Sequence, residues 1–202
     1  MGSNLRNVKF WDIKSEIRVI GIDDGPFKPH TKGKALLVGA ILRGGQWLDG
    51  VLSTSVSVDG RDATQQIIKM VNESRHKGQL RVIMTDGATF AGFNVVDIRE
   101  IFKRTGIPVV AVSKDRPNMK KIKQAIKNLP DWWVRWKILR RAGNIYSVES
   151  RSGAQIFMQI AGVKKNDAEK IIKTTATRSF VPEPLRVAHL IARGVGENVK
   201  KN

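Results

Sequence analysis

Two stretches of this chain run from β-branched residues straight into carboxylates, and they constrain the fold more than any other feature. In Arg18-Val-Ile-Gly-Ile-Asp-Asp-Gly-Pro-Phe27, Val19, Ile20 and Ile22 read as a buried strand, and Gly25-Pro26 ends it with a turn. Leu80 to Thr85 reads as a second such strand and runs into Asp86-Gly87 in the same way. Strand side chains alternate between faces, so only one of Asp23 and Asp24 can point into a given site. Asp23 is preferred, because Asp24, just before Gly-Pro, also suits an Asx-turn. The plain alternative is a pair of solvated turn acids.

The elements around these strands follow from periodicity. Residues 4–16 read as an arm or short helix. Ala35 to Leu42 is a second strand, Gly44-Gly45 a hairpin turn, and Trp47 to Val58 the returning strand. Asp62-Ala-Thr-Gln65 resembles a capping box opening a helix with Ile67, Ile68 and Val71 on one face, ending near Lys77-Gly78. After the strand ending at Thr85, a glycine-bearing loop over 87–92 leads to a helix over roughly 93–104. Gly106 stops it, and Ile107 to Val112 is a fifth strand. Helical crossovers between these last strands imply parallel pairing. Residues 116–141 carry a lysine-rich helical pattern broken at Pro130. A hairpin around Ser152-Gly153, a short helix opened by Asn166 to Glu169, a helix over Pro182 to Ala192 stopped by Gly194, and a basic tail complete the chain.

Three antiparallel strands, then helix, strand, helix, strand, is the order of a ribonuclease H-like fold. The expectation is a mixed five-stranded sheet flanked by helices. At 202 residues the chain is read as one domain, 1–202, with a basic helical and hairpin elaboration around 114–160. In this fold the first and fourth strands are neighbours, which puts Asp23 (or Asp24) beside Asp86. Carboxylates so placed repel unless a cation neutralises them or one takes up a proton. Mg²⁺ or Mn²⁺, hard and oxygen-liking, is the expected cofactor.

Lys and Arg total 36 against 18 acids, a formal net charge of +18, spread along the chain and densest from Lys114 to Arg141. Such a field attracts polyanions, so nucleic acid is the natural partner, with a merely basic surface as the alternative. Lys114, Arg116, Lys120, Arg135 and Arg140 are the candidate nucleic-acid contacts. Trp132, Trp133 and Trp136 lie among these cations, where they could stack on bases, although tryptophans at i and i+4 more often form a core stripe. There is no cysteine, so thiolate metal sites and disulfides are excluded. No apolar run reaches membrane-spanning length and no signal-peptide core precedes the first strand, so a soluble cytoplasmic protein is expected.

The pieces Gly21-Ile-Asp-Asp-Gly25, Val58-Asp-Gly-Arg-Asp-Ala-Thr64, Asp86-Gly-Ala-Thr-Phe-Ala-Gly-Phe-Asn-Val-Val-Asp97, Gly106-Ile-Pro-Val-Val110 and Pro182-Glu-Pro-Leu-Arg-Val-Ala-His189 span nearly the whole chain. With them the sequence resembles the endonuclease V-like superfamily and, within it, the archaeal endonuclease dU family. The resemblance implies a divalent metal and endonuclease activity on DNA containing deoxyuridine. It matches Asp23 to the first-strand aspartate of endonuclease V and Asp86-Gly87 to its Asp-Gly motif. Endonuclease V carries a glutamate before its first helix, where this chain offers Asp59 or Asp62. Asp59 is preferred as a ligand, since Asp62 can be explained by capping. The aromatic-rich wedge loop of endonuclease V has no counterpart after Phe27.

The expected metal and catalytic set is therefore Asp23, Asp59 and Asp86, supported by Asp24, Asp62, Asp97, Glu183, Arg186 and His189. Asp97 can equally be an exposed helical acid. Glu183 can complete a metal site or simply favour a helix N-terminus. Arg186 and His189 follow it at steps of three and could hold a phosphate or, for His189, move a proton. The expected activity is nicking of DNA bearing deoxyuridine or another altered base. The alternatives are cleavage of inosine-containing or structured RNA, and a nucleic-acid-binding module without catalysis.

Overall fold

The computed structural model describes residues 6–29, 31–150 and 153–199. Its centre is a seven-stranded mixed sheet in the order β3-β2-β1-β4-β7-β9-β8. Strand β1 (Arg18–Asp24) pairs antiparallel with β2 (Lys34–Arg43), which pairs antiparallel with β3 (Trp47–Ser57). Gly44 and Gly45 turn the β2–β3 hairpin with φ of 57° and 85°, a backbone that favours glycine. On its other side β1 pairs in parallel with β4 (Val82–Asp86), and β4 in parallel with β7 (Val109–Ser113). The parallel crossovers carry helices α1 (Ala63–Asn72) and α2 (Ile98–Thr105).

Strand alternation sorts the core onto two faces. Ile20 and Ile22 of β1, Leu37 and Ile41 of β2 and Ile83 of β4 pack under α1 and α2, through Ile67, Val71, Ile98 and Ile101. Val19, Val82, Met84 and Val110 face the other way, onto α5 (Lys165–Thr175) and the start of α6 (Glu183–Val199). Val38, Ala40 and Leu42 of β2 meet Ala188 and Ala192 further along α6. Helix and strand approach unusually closely where Gly21 lies under Pro184: a Cβ on Gly21 would stand 2.1 Å from the Pro184 carbonyl carbon.

Several expectations change. The sheet has seven strands, not five, because β8 (Tyr146–Glu149) and β9 (Gln155–Ala161) join it through antiparallel pairing of β9 with β7. This pairing satisfies the hydrogen-bonding edge that β7 would otherwise expose. The expected glycine-bearing loop and the start of the expected second helix instead form a small hairpin, β5 (Thr89–Phe90) and β6 (Asn94–Val95), turned by Ala91-Gly92-Phe93. Residues 6–17 form an arm without helix, tied to the sheet by the Val8 N–H donating to Gly162 O at 2.8 Å. Helix α1 ends at Asn72, and Lys77–Gln79 form a separate 3₁₀ turn. Helix α6 runs through Gly194 rather than stopping there, and Gly196 lets it pass close to the Pro26 ring.

The lysine-rich stretch forms α3 (Met119–Ile126) and α4 (Trp132–Arg141), as its broken pattern predicts. Trp132 and Trp136 pack against the small cluster of Val95, Ile126 and Leu139, as the core-stripe alternative has it, while Trp133 is 59% exposed. Ser152 of the expected turn and the basic tail at 200–202 lie outside the described residues.

Candidate active site

Asp23 and Asp24 point to opposite faces of the sheet, as alternation demands. Asp23 is 4% exposed and lies on the α6 face, where His189 Nδ1 stands 2.8 Å from its Oδ2. When Asp23 is ionised it can only accept, so Nδ1 carries the proton and Nε2 is the basic nitrogen. Asp24 faces the α1–α2 side, where its carboxylate accepts the Ala91 N–H at the tip of the β5–β6 hairpin.

Asp86 ends β4 beside the end of β1. The parallel register runs from Val19 opposite Val82 to Ile22 opposite Thr85, and its continuation sets Asp23 next to Asp86 at about one strand spacing, ~4.8 Å. The alternation that puts Val82 and Met84 on the α6 face puts Asp86 there too. Gly87, with φ of 72°, makes the turn that follows. Burial pushes the Asp23 carboxyl up to about 7, and the charge of Asp86 adds to the rise against the hydrogen bonds from the Asp24 N–H and His189. Burial also raises Asp86, opposed by the nearby charges of Lys114 and His189. Asp24 is raised by burial as well, against its bond from Ala91.

Asp59 sits apart from this pair. Its Oδ1 accepts the Phe93 N–H at 2.9 Å, and its backbone N–H donates to Ala91 O at 2.9 Å. Ala91 thus bridges Asp24 and Asp59. Arg135, expected to contact nucleic acid, is 5% exposed and holds this corner from beneath. It donates to the carbonyls of Asp59 (2.8 Å), Gly60 (2.7 Å) and Phe93, and pairs with Asp131 at 2.8 Å. A guanidinium so enclosed has no donors left for phosphate, so Arg135 is corrected to a structural clamp.

Asp62 is neither a cap nor a convergent acid. Its carboxylate accepts from the Ser57 N–H (3.1 Å), the Ser57 hydroxyl (2.9 Å) and Asn94 Nδ2 (2.6 Å). Burial raises Asp62, but these bonds outweigh it and hold the carboxyl below its ordinary value. The α1 N-terminus is instead served by Asn94, whose Oδ1 accepts the Ala63 N–H at 3.0 Å. Asp97 is not within a helix but caps α2, accepting the Arg99 and Glu100 N–H groups at 3.1 Å each, with Arg141 3.5 Å away.

Glu183 is 1% exposed and is matched by Arg186, whose Nε and Nη2 approach its oxygens at 2.7–3.0 Å. Each answers the other's charge, so neither the metal role expected of Glu183 nor the phosphate role expected of Arg186 is visible here. Lys114, Arg116, Lys120 and Arg140 are exposed, and Lys114 is the one whose charge reaches Asp86.

The structure therefore brings together Asp23, Asp86 and His189, with Lys114 alongside, and holds Asp59, in the turn after β3, against the neighbouring β5–β6 hairpin. Among the described residues no three acidic or histidine side chains form a ready-made metal cage. The donor chemistry of Asp23 and Asp86 nevertheless fits a hard divalent cation. Two buried carboxylates, one of them raised by the charge of the other, are what such an ion relieves, and Mg²⁺ is commonly held by one or two carboxylates with water completing its shell. Ala91 and Asn94 were missed by sequence reasoning. An Ala-Gly pair between two short β-prone runs was the available signal for the first.

Comparison with known proteins places this geometry. The endonuclease dU family matches residues 15–196. A UPF0215 protein from Methanothermobacter thermautotrophicus is 55% identical over 193 residues, covering 95% of this chain and 94% of that protein. The crystal structure of a protein of unknown function from Archaeoglobus fulgidus aligns with a TM-score of 0.80 at 37% identity, covering 89% of this chain and 98% of that one. Human endonuclease V aligns with a TM-score of 0.64 at 16% identity over 97% of this chain and 92% of its own, a likeness of fold. No described helix is long and apolar enough to cross a membrane. With a family match over nearly its full length and relatives this similar, the chain belongs to the endonuclease dU family.

Proposed function

We propose that the protein is a divalent-metal-dependent endonuclease that nicks DNA containing deoxyuridine. The observation that carries this reading is the side-by-side placement of Asp23 and Asp86, with His189 against Asp23, on a sheet of endonuclease V type. The family's description supplies the class of reaction and the base.

In this reading Asp23 and Asp86 would hold Mg²⁺ or Mn²⁺, with Asp59, held against the β5–β6 hairpin, as the third acid proposed for the site. A bound divalent ion supplies charge neutralisation at the phosphate and polarises water for attack. His189, oriented through Nδ1 by Asp23, presents Nε2 to hold or move a proton. Lys114 offsets the phosphate charge next to Asp86, and the other exposed cations of 114–141 hold the strand by its backbone. The net reaction adds water across one P–O bond: oxygen joins phosphorus, and the departing sugar oxygen takes a proton.

The deciding experiment incubates the full chain with matched duplexes carrying one deoxyuridine or one thymidine, and with RNA of the same sequence, in Mg²⁺, Mn²⁺ or EDTA. Nicking of the deoxyuridine strand alone, abolished by EDTA, is expected. Equal nicking of all substrates removes the base assignment, and activity undiminished in EDTA removes the metal.

A further inference from the structure

The loop that brings Lys114 beside Asp86 carries Arg116 into a cavity of about 610 Å³ bounded by α3, α4 and the β8–β9 hairpin. That volume lies within the range of about 300–1,000 Å³ typical of small-ligand clefts. Its lining includes Arg116, Met119, Trp136, Leu139, Arg140 and Gln159, and contains no carboxylate. A second cavity, of about 660 Å³ beside the N-terminal arm, differs on this point: the carboxylates Asp12 and Glu16 line it alongside Lys9, Lys14, Arg18 and Arg81.

Each part of the 610 Å³ cavity matches one part of a nucleotide. The guanidiniums of Arg116 and Arg140 suit a phosphate. Met119, Leu139 and the Trp136 indole give an apolar wall for a ring, with Lys123 Nζ 5.3 Å from the indole centroid. Gln159 is 7% exposed and donates its amide N–H to Gly143 O at 3.0 Å, which leaves the amide oxygen to meet a base edge. Lys114 and Arg116 are two residues apart, at most about 7 Å along the chain. The cavity itself lies on the α1–α2 side of the sheet, since Gln159 pairs with Ala111, so this loop links it to the carboxylate edge across the end of β7.

We propose that this cavity is a nucleotide subsite that takes one unpaired nucleotide of a bound strand. The assignment rests on the nuclease reading for its strand and adds a place where the enzyme grips a base away from the carboxylates. It favours locally single strands, whose base faces are free to stack and whose base edges are free to meet Gln159.

The test measures binding by the full chain in EDTA, using fluorescein-labelled hexathymidylate and an abasic strand with the same phosphates. The expected result is hexathymidylate binding at least about fivefold tighter than the abasic strand, the lower end of what base stacking contributes. Gln159→Leu should shrink that preference below about twofold and leave abasic affinity in place, since Gly143 is exposed and water can take its carbonyl. Arg116→Ala with Arg140→Ala should weaken both strands about tenfold more than the equally charged control Lys69→Ala with Lys103→Ala. These arginines are exposed, so their loss does not threaten folding. Equal affinity of the wild-type protein for both strands, or a loss in the arginine pair no larger than in the control, overturns the subsite. Because no metal is present, a failure to nick would sink the nuclease reading without touching these ratios.

Discussion

Asp59 and Ala91 are joined by a backbone hydrogen bond of 2.9 Å, and they are the two non-glycine residues with positive φ among the described residues, at 49° and 46°. Left-handed backbone costs an L-residue about 1–2 kcal/mol, so this corner is held by its surroundings and not by local preference. Arg135 beneath it and Asp24 above it supply that hold.

Ala91 gives the first prediction. Ala91→Gly should leave stability within about 1 kcal/mol of wild type, as relieved strain offsets a more flexible unfolded chain. Ala91→Val places a β-branched residue in the same backbone at a fully buried position and should cost about 2–3 kcal/mol. Urea unfolding measures both. A valine variant as stable as wild type would mean the corner relaxes freely.

Asp86→Asn should separate chemistry from folding. Asn keeps the shape but removes the charge that would hold a cation, so nicking should fall at least about 100-fold. Removing repulsion on Asp23 should leave the metal-free melting temperature unchanged or slightly raised. Metal-free affinity for a nucleic-acid strand should hold or rise. Undiminished nicking would take Asp86 out of the site, and a collapsed melt would make it structural.

The raised carboxyl of Asp23 predicts an inverse dependence of stability on pH. Its folded value, about 7, lies above its ordinary value of 3.8. Between the two the folded protein keeps a proton that the unfolded chain has released, so raising pH favours unfolding. Asp24 and Asp86 shift in the same direction and add to the effect. Metal-free stability should therefore decline from about pH 4 to pH 7, at up to about 1.4 kcal/mol per pH unit for this one group, and level off above. Asp23→Asn should flatten the slope. Unfolding curves in EDTA that rise across this range would contradict the burial of the pair.

Arg135 distinguishes a clamp from a nucleic-acid contact. Arg135→Met strands three carbonyls and Asp131 in a buried setting and should cost about 3–5 kcal/mol. Arg135→Lys keeps the charge but cannot span the same acceptors and should recover less than half of that. A phosphate contact would give the opposite pattern: an unchanged melt and weaker binding.

The strands and both strand-end acids were legible in the sequence because they depend on local pattern. Val19, Ile20 and Ile22 leading into Asp23 announce a buried strand with a polar end, and the intervening helices force β1, β4 and β7 into parallel contact. What was not legible depends on partners distant in sequence. Nothing near Arg135 shows that its acceptors lie more than 40 and 70 residues away at Phe93, Gly60 and Asp59. Glu183 was read as completing a metal site or favouring a helix N-terminus and Arg186 as holding a phosphate, yet at i, i+3 on one helix they pair with each other. The β5–β6 hairpin was hidden because each of its strands is two residues long, too short for an alternation to show.

The pairing of Asp23 with His189 also bears on the order in which the protein comes into being. A ribosome releases Asp23 long before His189, which follows it by 166 residues. Until then this part of β1 lacks α6: Gly21 has no helix above it, and Asp23 is hydrated with an ordinary affinity for protons. The perturbed carboxylate is thus a property of the finished chain and not of the strand that bears it. A contact of such long sequence separation forms late and slowly. A growing chain already rich in positive charge would therefore attract polyanions before its buried carboxylate pair was complete.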